Sequence, residues 1–574
     1  MTTARPHRVL FGLLLIGFAA PGCRAATNPP ASTNNTVITG GRLVATYRSE
    51  PQTFNRFVSA NAAEELLTRL TQATLLRVNR VTHEVEPRLA TEWTSSPDHL
   101  TWTLKLREGV RFSDGVPFTS ADVVFTFQAL YDKRVGSDIA ESMMIGGHPV
   151  GVRALDDRTI ELKLPAPYGP GLTLLDSIPI YPRHKLQAAL DTGAFRDAWN
   201  TKTPLSDIVG LGPFVLREYV PEQRIVLGRH PYSWLRDSNG VTLPYVDEIE
   251  LQIVPQQNTE VVRFEAGDVD LMTDQVRAED IGAMRQMVSQ GRATLIPAGV
   301  TISPDWLVFN LVPGAAAAKS RPWLQRDELR QAISVAVDRD EMAKTVYLGT
   351  AVPVFGPITP GHGVWYSAAR PKPSRDLARA KTLLASIGLT DRNGDSMLED
   401  AAGRPARFTV MTQQGHAIRE RMATMLKQQL KDVGLDVDIV PLDVRSLFDR
   451  WSKNNYDALY FYIQFDDPDP SRNQEFWLSS GQFHFWNPRQ KTPATPWEAE
   501  VDALMGQVTA SMDAAERQRL FGKVLDITAE HQPSLYFVAP DVTVATSARV
   551  RGATPSSLPP QVLWNAERLW LASR

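Results

Sequence analysis

The chain has 574 residues, of which 43% are hydrophobic and 22% are charged, a composition typical of a folded globular protein rather than a disordered one. Its 61 basic and 64 acidic residues give a net charge of −3, so it lacks the positive field that binds nucleic acid. The single cysteine excludes a disulfide framework, a cysteine-ligated zinc site and an iron–sulfur cluster. The scattered histidines show no metal-ligand spacing, and we expect no metal and no cofactor.

An export signal is predicted at the N-terminus. Arg5 and Arg8 precede an apolar run over residues 9–20, which is too short to span a bilayer and is typical of a signal peptide, here residues 1–22. Cys23 follows at once and resembles the lipidated cysteine of a bacterial lipoprotein; the alternative is plain cleavage that releases a soluble protein. Residues 23–40 are small and polar and predict a flexible tether. The sequence therefore predicts a periplasmic or cell-envelope protein, held at the membrane only by acyl chains.

The body alternates strand and helix patterns. Residues 100–106 and 160–164 alternate apolar and polar side chains as half-buried strands do, and Thr119 with Asp122 forms a capping signature for a helix between them. Residues 418–433 carry a helical apolar stripe that stops at Gly434, and a strand pattern follows at 435–439. Helices followed by strands predict α/β lobes built on mixed sheets.

Several motifs resemble one family of proteins. The longest block contains Trp93, the segment 101–107 and Ser-Asp-Gly115, and ends at Phe127. The other matching segments are Gly210-Leu-Gly-Pro-Phe214, residues 263–270, residues 330–339 and residues 466–470. Together they resemble the family 5 extracytoplasmic solute-binding proteins, the receptors of bacterial ABC importers for oligopeptides, dipeptides, nickel complexes and some sugars.

The resemblance implies a two-lobed periplasmic-binding-protein-like α/β fold of type II, cluster C, with an extra subdomain inserted in the first lobe. Lobe I would combine residues 41–80, 207–303 and 535–574, with the insert at 81–206 and lobe II at 304–534. Two chain crossings, near 301–306 and 533–542, would form the hinge. Solute held between the lobes would shift the population from open to closed.

Four residues are predicted to contact the solute. Asp466 matches the aspartate that pairs with the ligand's α-ammonium in peptide-binding members of the family, although Ile463 stands where those members have tryptophan. The alternative for Asp466 is a surface turn, because Asp-Pro-Asp-Pro is itself turn chemistry. The aromatic side chains of Trp306, Tyr462 and Trp486 are candidates for the walls of the cleft.

A partial calcium-loop pattern begins at Asp391, but Ser396 replaces the expected glycine and Ala402 the expected glutamate, so a hydrated surface turn is favoured.

The resemblance implies a non-enzymatic, monomeric receptor for an oligopeptide or similar solute, with ABC permease subunits and ATPases as its partners. An alternative is the same fold binding an oligosaccharide, an opine-like solute or a metal chelate, which the missing tryptophan favours. A third hypothesis is a secreted hydrolase that acts through the carboxylates of Asp466 and Asp469.

Overall fold

The computed structural model describes residues 37–465 and 467–573. The chain divides into an N-terminal segment, Met1–Val37, and a body, Ile38–Arg574. The signal peptide, Cys23 and Asp466 lie outside the described residues, so the predictions for them stay predictions.

Strands and helices alternate along the body. The strands are β1 (Arg42–Tyr47), β2 (Leu76–Val78), β3 (Val85–Pro87), β4 (Ala90–Ser95), β5 (Thr101–Leu106), β6 (Gly151–Asp156), β7 (Thr159–Lys163), β8 (Phe214–Val220), β9 (Arg224–Arg229), β10 (Glu248–Ile253), β11 (Leu271–Met272), β12 (Ala293–Val300), β13 (Trp306–Phe309), β14 (Ala351–Pro353), β15 (Arg407–Gln413), β16 (Asp436–Leu442), β17 (Ala458–Phe461), β18 (Ser534–Tyr536), β19 (Val538–Ser547), β20 (Val550–Arg551) and β21 (Trp570–Leu571). The α-helices are α1 (Ala62–Thr71), α2 (Ser120–Tyr131), α3 (Arg183–Thr192), α4 (Gln257–Ala266), α5 (Ile281–Ser289), α6 (Ala316–Ser320), α7 (Asp327–Ala336), α8 (Arg339–Thr345), α9 (Leu377–Ser386), α10 (Ala417–Lys431), α11 (Val444–Ser452), α12 (Gln474–Trp477), α13 (Pro496–Ala510) and α14 (Ala514–His531).

The first lobe is built on a mixed sheet. Its strand order is β12-β19-β11-β1-β10-β9-β8, with β14 also pairing with β19. β1 runs parallel to β10 and β11, whereas β12 and β9 pair with their neighbours in antiparallel register. Leu43 and Ala45 are fully buried on one face of the inner strand β1, and Val44 on the other face packs against a second apolar cluster, so the central strands have core on both sides.

The segment predicted as an insert carries a separate antiparallel sheet of order β4-β5-β7-β6. The predicted strands at 100–106 and 160–164 are confirmed as β5 and β7, which pair with each other. The capped helix is confirmed as α2, where the Asp122 carboxylate accepts the Thr119 backbone N–H at 2.9 Å. Val123 of the helix and Leu104 of the strand are fully buried in one core.

The second lobe is built on a five-stranded sheet of order β16-β15-β17-β13-β18. The helix predicted at 418–433 is α10, and the strand after it is β16, parallel to β15. Gly434 has φ +81°, and a Cβ there would lie 2.7 Å from Leu398, so this turn requires glycine. The fold is therefore the two-lobed α/β architecture expected from the sequence.

Neighbouring strands of the chain link the two sheets. β12 belongs to the first sheet and β13 to the second, while β18 belongs to the second and β19 to the first. The expected lobe boundary between 534 and 535 falls inside β18, which pairs with β13 along its whole length. The domain limits remain predictions, and the strand pairing favours a second crossing at Phe537.

Close packing explains the motif at Gly210 and Gly212. A Cβ on Gly210 would lie 2.0 Å from the carbonyl oxygen of Thr71, and one on Gly212 would lie 2.5 Å from the carbonyl carbon of Thr71. The two glycines let this loop cross the C-terminal end of α1 in contact with its backbone.

Candidate functional site in the cleft between the lobes

Two cavities lie between the lobes and share the side chain of Gln464. The arginine cavity, of about 310 Å³, is formed by α1, the strand β2, residues 138–143 and 173–179 and the loop 464–473. The hinge cavity, of about 520 Å³, is formed by residues 274–279, 301–305, 415–419, Tyr462 and the segment 540–561. Residues of both lobes line each cavity, so the cleft can enclose a solute rather than hold it on one surface.

Six arginines line the arginine cavity. They are Arg56, Arg69, Arg77, Arg80, Arg88 and Arg472. Arg69 donates to Glu65 at 3.0 Å and to Asp176 at 3.4 Å, which anchors α1 to the loop 171–177. Burial opposes ionisation of Glu65, but attraction by Arg69, Arg80 and Arg56 outweighs it and holds the pKa of Glu65 below its usual value.

Arg77 and Arg88 share one carboxylate. Their Nη1 atoms lie 2.7 and 3.2 Å from Oε1 of Glu567, which is 3% exposed. Burial and repulsion by Arg77 lower the pKa of Arg88 to about 10. Arg77 also binds Glu86 at 2.7 Å, so these two guanidiniums are held by two carboxylates, of which Arg88 contacts only Glu567 among the described residues.

Arg472 projects from the second lobe to the first. Its Nη1 lies 3.3 Å from the hydroxyl of Tyr168 and 3.4 Å from the carbonyl oxygen of Ser142, and its Nε is buried without a hydrogen-bond acceptor among the described residues. Burial raises the pKa of the neighbouring Asp467 carboxyl to about 6. Thr173 Oγ1 is a second buried polar atom at this wall with no described partner, so the cavity offers both a donor and a hydroxyl to a solute.

The hinge cavity combines an ion pair, an aromatic ring and a lone carboxylate. Arg419 binds Asp305 at 3.0 Å and lies over the ring of Tyr462 at 4.2 Å. Asp541, on β19 at the crossing, has no ion-pair partner among the described residues, and burial raises the pKa of its carboxyl. A cationic group of a solute would find a carboxylate there.

The two lobes also touch through contacts outside the connecting strands. The backbone N–H of Gly169, in the segment predicted as an insert, donates to the carbonyl oxygen of Thr509 in the second lobe at 2.6 Å. Arg421 of α10 lies 3.8 Å from Glu279 of the first lobe. These contacts join the two lobes beside the connecting strands' own pairing.

The structure separates the predicted aromatic contacts. Tyr462 lines the hinge cavity beside Arg419. Trp306 is 1% exposed in the core of the second lobe, against Phe485 at 4.7 Å, and lines neither cleft cavity. Trp486 is 2% exposed, its indole N–H points to Glu498, and it lines a different cavity. The structure therefore does not bring Trp306 and Trp486 to the cleft as expected. A run of aromatic residues in the sequence does not show which rings lie in the core and which line a cavity.

The cluster of six arginines was not predicted from the sequence. Five of its members fall within residues 56–88, a stretch without lysine, and this local bias was the available signal. Arg472 comes from a distant segment, and only the fold brings it to the others.

The partial calcium loop folds as a hydrogen-bonded turn. Asp391 accepts the backbone N–H groups of Gly394 and Ser396, and the carboxylates of Asp391, Asp395 and Glu399 offer oxygens within 4.8 Å of one another.

Asp469, one carboxylate of the hydrolase hypothesis, binds Arg517 at 2.7 Å and caps the turn at Ser471, which gives it a structural role.

A two-lobed fold with a charged cleft between its sheets defines the class of solute-binding receptors. The chain belongs to the bacterial extracellular solute-binding proteins, family 5, whose middle-region model matches residues 84–485. This family consists of transport binding proteins. No helix in the described ranges 37–465 and 467–573 is long and apolar enough to cross a bilayer.

Individual relatives cover almost the whole chain. A "Probable ABC transporter-binding protein" of Deinococcus radiodurans is 28% identical over 90% of both chains. The structure of NikA from Brucella suis with Fe(III)-EDTA has a TM-score of 0.77 and 22% identity, covering 93% of this chain and 100% of that one. The oligopeptide-binding protein AppA of Bacillus subtilis with a nonapeptide has a TM-score of 0.71 and 24% identity, covering 94% and 100%. At these identities the two structures show a shared fold.

Proposed function

We propose that the protein is the substrate-binding component of an ABC importer that captures an oligopeptide or similar medium-sized charged solute between its lobes. Closure buries the solute, and the closed receptor delivers it to permease subunits whose ATPases drive uptake. The observation that carries this proposal is the pair of cavities joined at Gln464, which both lobes line with charged side chains.

The distribution of charge favours a solute with both signs. The arginine cavity offers guanidiniums to a carboxylate, and Asp541 in the hinge cavity offers a carboxylate to an ammonium. A peptide carries these two groups at opposite ends. Asp466, predicted from the family resemblance to meet the α-ammonium, follows Gln464 and Phe465 in the sequence, and Gln464 lines both cavities.

A second candidate is a carboxylate-rich solute, either an opine-like compound or a metal chelate. The six arginines of one cavity favour it, because bidentate guanidinium–carboxylate pairs are strong and specific. The relatives named above include proteins with a nonapeptide and with Fe(III)-EDTA, so both classes are retained for the test.

Thermal-shift titration of the mature protein distinguishes the candidates, because a ligand that binds only the folded state raises the melting temperature. We expect tri- to pentapeptides to give a saturable shift that Asp466→Ala abolishes and that peptides with an acetylated N-terminus fail to give. A shift only with iron or nickel chelates would select the second candidate. A shift only with uncharged sugars would contradict both.

Arg472→Met is expected to weaken solute binding at least tenfold, since the side chain supplies a buried charge to the cavity and also joins the lobes through Tyr168 and Ser142. Calorimetric titration with the solute found above measures the effect. Arg519→Met, on the exposed face of α14, is the matched control and should bind like the wild type. Equal affinity of all three proteins would remove Arg472 from the site.

We also propose that the exported protein is anchored to the cell envelope through a lipid on Cys23. The support is the position of this cysteine directly after the predicted signal peptide, ahead of a polar tether. Incorporation of labelled fatty acid should be lost in Cys23→Ser. Release of unlabelled wild-type protein into the soluble fraction would instead favour simple cleavage.

A further inference from the structure

A third cavity, of about 630 Å³, is lined by segments of the predicted second lobe and by β18. Its walls come from α7, the segment 353–358, the segment 365–373, the C-terminal end of α14 and the strand β18. None of its lining residues lines either of the two cleft cavities, so this cavity is separate from the cleft. Its volume lies within the range of cavities that hold small organic ligands, about 300–1,000 Å³. We call it the lobe II cavity.

Aromatic side chains form much of its wall. Phe476, Trp477, Trp486 and Tyr536 are buried there, and Phe355, Trp365 and Tyr366 are half-buried. Rings of this kind bind planar or alkyl groups through apolar contact and stacking. The wall therefore favours a ligand with an aromatic or alkyl body.

One buried cation in this wall has no ion-pair partner in the part of the chain that the structure describes. Arg339 is 5% exposed, and its Nε, Nη1 and Nη2 donate to the carbonyl oxygens of Val354, Tyr536 and Ser334 and to the Ser334 hydroxyl. A guanidinium has five N–H donors, so one N–H on each Nη remains. No described carboxylate pairs with it, and burial lowers its pKa to about 10. The guanidinium also lies over the rings of Phe355 at 4.5 Å and Phe537 at 5.6 Å. A buried guanidinium without a carboxylate partner among the described residues favours an anion at its remaining N–H groups.

The rim of the lobe II cavity is also positive. Arg370, Lys372 and Arg379 stand there against one acid, Glu530. Arg370 is bound to Asp526 at 2.8 Å, whereas Lys372 and Arg379 form no ion pair with any described residue. This charge attracts anions to the entrance.

A buried acceptor in the same wall lacks a donor. Oε1 of Gln532 is buried and has no described hydrogen-bond partner, and the residue sits at φ +44° between α14 and β18. A ligand that brings an N–H or O–H group would satisfy this oxygen.

We propose that the lobe II cavity is a second binding site, independent of the cleft, for a small aromatic carboxylic acid that also carries an N–H or O–H donor. The carboxylate meets the free N–H groups of Arg339, the ring lies among Trp477, Trp486 and Trp365, and the donor reaches Gln532. Indole-3-acetate has all three features and serves as the probe, and indole-3-acetamide is its uncharged counterpart.

Calorimetric titration of the mature protein tests the site. Indole-3-acetate should bind saturably and at least tenfold more tightly than indole-3-acetamide, because only the acid provides a charged partner for Arg339. Arg339→Met should lower its affinity at least tenfold. Gly356→Trp should do the same by filling the cavity, since a Cβ on Gly356 meets no atom within 4 Å and its backbone is not left-handed.

Two further variants keep the outcome decisive if Arg339→Met fails to fold. The double variant Lys372→Ala/Arg379→Ala alters only exposed side chains and should raise the Kd about two- to fivefold, with a weaker salt dependence. Arg472→Met, altered only in the cleft, should bind the probe like the wild type. Equal binding of acid and amide, loss of binding in Arg472→Met, or no saturable binding of indole-3-acetate to the wild type would each overturn the proposal.

Discussion

Replacing Arg330 with methionine should lower the free energy of unfolding by about 3–5 kcal/mol. Arg330 is 1% exposed on α7 and donates to the carbonyl oxygens of His531 and Gln532 at 2.9–3.1 Å and of Gln325 at 3.1 Å. It also binds Asp327. Methionine fills a similar volume but leaves these buried acceptors without donors, at the point where the C-terminal end of α14 meets α7. Denaturant unfolding followed by circular dichroism measures the change.

Arg326→Met is the control for Arg330, because it removes an arginine four residues away whose side chain is 55% exposed and pairs only with Glu328. We expect its effect to stay within about 0.5 kcal/mol. If both variants unfold at the same denaturant concentration, the network around Arg330 contributes little to stability.

Glu567→Gln is expected to have a comparable effect, about 3–5 kcal/mol, because it leaves two arginines of the cleft facing an uncharged amide. Arg77 keeps Glu86 at 2.7 Å, but Arg88 loses the carboxylate that it binds. Thermal and denaturant unfolding measure the loss. Glu84→Gln, on an exposed turn nearby, should unfold like the wild type, and an equal loss in both variants would contradict this role of Glu567.

The contribution of Glu567 should also depend on pH in a defined direction. Burial would raise the pKa of Glu567, but attraction by Arg88 and Arg77 outweighs it and holds the pKa below its usual value of about 4.3. The stabilisation is therefore fully present above the unfolded-state pKa and is lost as the pH falls through the lower folded-state pKa. The stability difference between wild type and Glu567→Gln should shrink on acidification below about pH 4.

Local elements were predictable because their signals lie within a few residues of one another. The capping pair of Thr119 and Asp122 starts α2, and Gly434 supplies the left-handed turn between α10 and β16. The longer motifs allowed the fold to be predicted from the sequence. Their glycines and capped helices mark positions where backbones pack closely, such as the contact of Gly210 with Thr71.

The cleft was less predictable because its chemistry comes from segments far apart in the chain. Arg472 lines the same cavity as Arg69 and Arg88 only because the lobes fold together, and Glu567 reaches Arg77 and Arg88 from the C-terminal segment. Trp306 resembled a wall residue in sequence, yet β13 points it into the core. Exposure of a ring depends on which face of a strand it occupies, and strand register is set by pairing that the sequence pattern leaves open.

Gly169 lies where the segment predicted as an insert meets the second lobe, at its hydrogen bond to Thr509. A Cβ at position 169 would lie 2.3 Å from the carbonyl oxygen of Ser511 and 2.5 Å from Nε of Arg517, atoms that belong to the opposite lobe. A larger side chain there would collide with these atoms and prevent this approach of the two lobes. A residue that lines neither cleft cavity therefore limits how closely these two parts of the chain can approach each other.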